Sequence, residues 1–130
     1  MIMLQYLWIG LGGFLGANAR YLLQAWAADR WGPNFPYGTL LANAGGSFII
    51  AFFLTLFTGR LAVSPETRLF IVVGFLGGFT TFSSFSYETF LLFEQGGWGA
   101  AVLNLASNLI LGLAGVLLGV FLARLVQGGG

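Results

Sequence analysis

Four stretches of this chain run without a charge for about the length a helix needs to cross a bilayer. They are Ile2–Ala19, Thr39–Thr58, Leu69–Tyr87 and Ala100–Leu122. A spanning helix takes about 20 largely apolar residues, each rising about 1.5 Å. All charged residues except Arg20 and Glu88 fall between or beyond these stretches, at Asp29, Arg30, Arg60, Glu66, Arg68, Glu94 and Arg124. The connections carry breakers: Pro33 and Pro36 in the first, Gly59 and Pro65 in the second, Gly96-Gly97 in the third. The pattern predicts an all-α membrane protein, one domain of four transmembrane helices, with spans near 2–24, 37–58, 69–93 and 100–122. A soluble reading fails on composition. Only 7% of the residues are charged, against about 25% in a soluble domain, so large apolar patches would face water. With the lipid bilayer as solvent for the outer face, that objection disappears.

The same composition narrows the function. A formal charge of +1 leaves no basic patch to neutralise phosphates, so no nucleic-acid partner is expected. The chain has no His, the commonest general base and zinc ligand, and no Cys for thiol or disulfide chemistry. No nucleophile–base pairing is recognisable, and an enzyme is not expected. The first span is read as a true helix and not a cleaved leader, despite Ala17-Asn18-Ala19, because its start lacks Lys and Arg and its apolar run is too long. Trp8, Trp26, Trp31, Tyr37 and Trp98 are candidates for the interfacial belt, Trp8 lying deeper. Gln127 to Gly130 read as a tail outside the fold.

Small residues recur at four-residue spacing: Gly12 and Gly16, then Gly38, Ala42 and Gly46, then Gly115 and Gly119. That spacing lets helix backbones approach closely and fits plain bundle packing. Four helices pack solid and leave no wet path between them. Transport therefore implies an oligomer. Both termini and the second loop share one side, with Arg60, Arg68 and Arg124. Arg30 and Arg20 stand toward the other. Three against two is almost no instruction for orientation. An antiparallel, dual-topology homodimer is then available, with its axis in the membrane plane.

The third span carries the densest chemistry, Gly74-Phe75-Leu76-Gly77-Gly78-Phe79-Thr80-Thr81-Phe82-Ser83-Ser84-Phe85-Ser86. Adjacent glycines and a Thr/Ser run are poor helix formers. A break here frees carbonyls at membrane depth, where only protein, water or an ion can satisfy them. A continuous helix with back-bonded hydroxyls fits the pattern equally. Phe75, Phe79, Phe82 and Phe85 form a stripe that suits core or lipid-facing surface. Ring edges are also partly positive and, with neighbouring hydroxyls, can stabilise an anion. Asn43 lies mid-span in the second helix, and Asn104 and Asn108 share a face of the fourth, beside Ser107. Buried amides in lipid need partners and point inward. Arg20 either snorkels or gathers anions at a pore mouth. Glu88 either meets water at a helix end or carries a proton or cation.

Three motifs together resemble the CrcB/Fluc family of fluoride channels, small bacterial and archaeal proteins that export fluoride. They are Gly12 to Tyr21, Gly38 to Phe48, and Gly74 to Phe85 with its Gly-Phe-Thr-Thr-Phe-Ser-Ser-Phe core. The resemblance covers essentially the whole chain and supplies the identity of the anion. It implies a passive fluoride channel in the cell (inner) membrane that relieves fluoride toxicity, built as an antiparallel homodimer with two pathways and a third helix broken near its middle. It assigns Asn43, Phe82 and Phe85 to the pathway, with Ser83, Ser84 and helix-four polar residues, here Asn104 and Asn108, nearby. It assigns the carbonyls of Gly77 and Thr80 to a structural sodium ion that is not transported, and Arg20 to the vestibule. Two departures stand out. Some members carry Tyr and Ser where this chain has Asn104 and Asn108, and Ala51 replaces a frequent glycine.

The competing reading is a small antiparallel multidrug-type, proton-coupled exporter. That class needs an embedded carboxylate in its first helix, and the first span here has no acid. A purely structural subunit does not explain the clustered hydroxyls and amides.

Overall fold

The computed structural model describes residues 2–59 and 61–128, all helix and connection, with no strand among them. Arg60, counted above in the arginine balance, lies outside the described residues. Among the described residues, four helical spans are long and apolar enough to cross a membrane: Ile2–Trp31, Tyr37–Thr58, Pro65–Glu94 and Trp98–Gly128. The first span is helix α1 (Ile2–Trp31) and the second α2 (Tyr37–Thr58). The third runs through α3 (Pro65–Arg68), a π-helical segment Leu69–Leu76, α4 (Gly77–Phe79) and α5 (Phe82–Glu94). The fourth is α6 (Trp98–Gly128).

The outer two spans exceed the sequence boundaries. α1 continues through Arg30 to Trp31, and α6 starts at Trp98 and includes Gln127 and Gly128. The tail reading is corrected there. The Gln127 amide donates at 3.0 Å to the Thr55 carbonyl in the last turn of α2, an acceptor it shares with the Thr58 hydroxyl. Residues 129 and 130 lie outside the described residues.

Packing follows the small residues. α1 lies along Leu69–Leu76, and α2 lies along α6. A methyl group at Gly12 would strike the Phe70 carbonyl, and one at Gly16 the Phe75 carbonyl. A Cβ on Gly115 would stand 2.9 Å from the Ala44 carbonyl oxygen, and one on Gly119 would strike the Phe48 carbonyl. Lipid supplies no hydrophobic drive between helices, so this backbone proximity, with its dense dispersion contacts, holds the pairs together. The connection between α1 and α2 gathers Trp26, Trp31, Phe35 and Tyr37 into an aromatic cluster with ring centroids 4.9–5.5 Å apart. Trp8 is half-buried and meets Phe70 edge-on at 6.4 Å.

Candidate functional site

The third span departs from helix at two residues. Thr80 has φ −87° and ψ 155°, and Thr81 has φ −154° and ψ 114°, both extended. Its second helix then starts afresh at Phe82, and the Thr81 hydroxyl oxygen caps it by accepting the Ser84 N–H at 3.1 Å.

Asn43 brackets this point from α2. Its Oδ1 accepts the Thr81 N–H at 2.8 Å, and its Nδ2 donates to the Thr81 carbonyl at 3.0 Å. One side-chain amide thus satisfies both main-chain groups of an extended residue, as a neighbouring strand would. The arrangement has a consequence for two carbonyls. In an unbroken helix the Gly77 carbonyl would take the Thr81 N–H, and the Thr80 carbonyl the Ser84 N–H. Those two N–H groups turn instead to Asn43 and to the Thr81 hydroxyl. The Gly77 and Thr80 oxygens thus lose their helical donors, as do those of Gly78 and Phe79 across the interruption, and of the four the Gly78 oxygen is taken up by Arg20. Neutral carbonyl oxygens are hard ligands that suit a small cation, so the residues present fit a sodium ion.

A cavity of about 350 Å³ opens beside the interruption. Its lining brings together Asn43, Gly77, Thr80, Phe82, Phe85 and Asn108. The Phe82 and Phe85 rings stand 5.7 Å apart at 68°, edge toward face. Their environments differ sharply: Phe82 is 77% exposed and Phe85 only 6%. Ser83 is exposed, with its hydroxyl 3.3 Å from that of Thr81. Ser84 accepts a hydrogen bond from the Thr81 hydroxyl at 3.1 Å and lines a second cavity of about 400 Å³, with Gln24, Thr39 and Glu88. There Gln24 donates to the Thr39 hydroxyl oxygen at 3.0 Å, and Thr39 donates to Glu88 Oε1 at 2.9 Å. Arg20 lines neither cavity. Its Nε donates to the Gly78 carbonyl at 3.1 Å.

Asn104 is fully buried and stands behind the first cavity, donating to the Thr89 hydroxyl oxygen at 2.9 Å. Asn108 donates to Asn104 Oδ1 at 3.1 Å and accepts from Asn43 at 3.1 Å. Thr89, Thr39 and Gln24 were not singled out from the sequence. Thr89 was within reach, since it follows Phe85 by one helical turn and so shares its inward face.

Comparison with known proteins agrees with the motifs. The family described as CrcB-like protein, Camphor Resistance (CrcB), matches residues 7–120. A protein of Roseiflexus sp. (strain RS-1) named fluoride-specific ion channel FluC is 55% identical over 91% of this chain and 95% of its own length. A protein of the same name from Koribacter versatilis (strain Ellin345) is 49% identical over 90% of this chain and 93% of its own. A third, from Legionella pneumophila (strain Paris), is 45% identical over 97% and 94%. With the match running through all four spans and every motif around the interruption, this chain belongs to the CrcB-like family.

Proposed function

We propose that this protein is a fluoride-selective ion channel that lets fluoride leave the cell passively across the cell (inner) membrane. Its relatives' names supply the ion. The observation that carries the reading is the meeting of Asn43, Phe82 and Phe85 in one cavity beside the extended Thr80 and Thr81. Fluoride is small and strongly hydrated, so close donors must replace its water. The Asn43 amide offers N–H groups, Ser83 and Ser84 offer hydroxyls, and the phenyl edges add partly positive C–H groups without a fixed charge that would trap the ion. Asn108 lines the same cavity, with Asn104 behind it. Arg20 is held on the Gly78 carbonyl, two residues before the interruption, where its charge raises the local anion concentration toward the vestibule.

The two-residue interruption is the functional break of the third helix in this reading, and the working unit is an antiparallel homodimer of dual topology. The near-balanced arginines support that arrangement. So does the open side of the 350 Å³ cavity, which a second copy would close. Carbonyls of Gly77 and Thr80 from the two copies would hold a structural sodium ion, whose positive charge offsets the cost of an anion nearby in low dielectric.

Efflux of fluoride from liposomes containing the purified protein, followed with a fluoride electrode, tests the function. Rapid efflux without a coupled ion is expected, far faster than chloride efflux. Flux that tracked an imposed proton gradient would favour the exporter reading and overturn this one.

A further inference from the structure

We propose that Asn104, seated on Thr89, is a positioning residue that acts through Asn108 to fix the orientation of the Asn43 amide; the inference rests on the pathway reading above. The Thr89 hydroxyl has one hydrogen, and donates it to the Phe85 carbonyl at 2.7 Å. Its oxygen can then only accept, so the buried Asn104 must present its Nδ2 there, at 2.9 Å. The Asn104 Oδ1 is left facing Asn108, which must present its own Nδ2. That nitrogen also donates to the Asn104 main-chain carbonyl at 2.9 Å. Asn108 Oδ1 is thereby turned toward α2, and Asn43 must meet it with Nδ2. At the far end Asn43 Oδ1 takes the Thr81 N–H, a group that can only donate.

Three amides thus point one way between two ends that cannot reverse. Turning any one of them would place donor against donor or acceptor against acceptor among half-buried and buried groups. Each such mismatch costs more than the bond it replaces is worth. Asn43 has two amide hydrogens, one on the Thr81 carbonyl and one on Asn108 Oδ1. Asn43 and Asn108 line the cavity together. The second hydrogen is therefore the one an anion in the cavity can take from Asn108. Thr89 and Asn104 do not line that cavity, so they act on the ion only through this relay.

The test uses the purified protein in phosphatidylethanolamine/phosphatidylglycerol liposomes, with fluoride and chloride flux measured against concentration. Thr89→Val keeps the shape and removes the hydroxyl. It should raise the half-saturating fluoride concentration by about three- to tenfold, the worth of one hydrogen bond, and narrow the preference over chloride. Thr89→Ser should restore the parent's behaviour. Asn104→Leu should move both quantities in the same direction. Combined with Thr89→Val it should add little further, because both cut one relay. A second readout needs no flux. In protein labelled at asparagine with a heavy nitrogen isotope, the Asn43 side-chain amide should exchange its hydrogens faster in Thr89→Val and Asn104→Leu than in the parent. If Asn43→Ser shifts half-saturation while Thr89→Val and Asn104→Leu leave it and the exchange rate unchanged, the relay is overturned and the pathway stands. If Asn43→Ser also changes nothing, the pathway reading fails and the relay with it.

Discussion

Asn43 has two tasks that pull against each other. It holds both main-chain groups of Thr81, and it offers an amide to the cavity. Asn43→Asp keeps the acceptor for the Thr81 N–H and places a negative charge in the path. Fluoride efflux should vanish, because like charges in low dielectric repel strongly and the carboxylate has no hydrogen for the Thr81 carbonyl or Asn108 Oδ1; normal efflux would remove Asn43 from the path. The two phenyl rings divide differently. Phe82 is largely exposed and Phe85 buried, so substitution to Ile should separate conduction from stability. Phe82→Ile should slow fluoride with little change in the thermal midpoint of the purified protein. Phe85→Ile should slow fluoride and also cost about 1–2 kcal/mol of stability, as removal of part of a buried ring does. Equal midpoints for the two variants would instead put Phe82 under the second copy that closes the cavity. The sequence marked Asn43, Phe82 and Phe85 because polar and aromatic residues stand out in lipid. It did not mark Thr89, a residue whose hydroxyl ordinarily bonds its own helix and reads as silent.

At the level of elements, the four spans were legible because twenty uncharged residues have few other destinations in water or lipid. The connections were legible because Pro and Gly mark them. The internal path of the third span was harder. Its Gly-Gly and Thr-Thr run fits a continuous helix or an interrupted one, and the choice depends on Asn43, which is remote in sequence. The π-helical turn at Leu69–Leu76 had no sequence signal of its own; it lies against α1 where Gly12 and Gly16 permit backbone contact. Gly16→Leu should therefore disrupt the pairing of α1 with the third span and leave little assembled protein on gel filtration, whereas Gly10→Ala, where a Cβ meets nothing within 4 Å, should behave as the parent. The carbonyls of Gly77 and Thr80 call for their own test. Replacing sodium with a large organic cation on both sides of the membrane should, after slow dissociation, lower fluoride flux, and sodium should restore it without a sodium current. Lasting full activity without sodium would discount the cation site.

On the scale of the whole molecule, the arginine balance predicts insertion in both orientations. A reporter on the C-terminus should be found on both faces of the membrane in comparable amounts. Two or three added Lys in one loop should trap one orientation and lower activity, and co-expression with the oppositely biased variant should rescue it; a uniform parent orientation would end the antiparallel assembly. The helices also differ in length, and that bears on the host membrane. α2 has 22 residues, so it spans about 33 Å, close to the hydrocarbon thickness of about 30 Å. α1 and α6, at 30 and 31 residues, reach about 45 Å and can absorb a thicker bilayer by standing more upright. α2 has no such reserve, and Asn43 is fixed to it. The shortest span, not the longest, then sets the lipid this channel tolerates: in vesicles of increasing acyl-chain length, fluoride flux should hold until the hydrocarbon outgrows α2 and decline beyond it, with α1 and α6 still comfortably embedded.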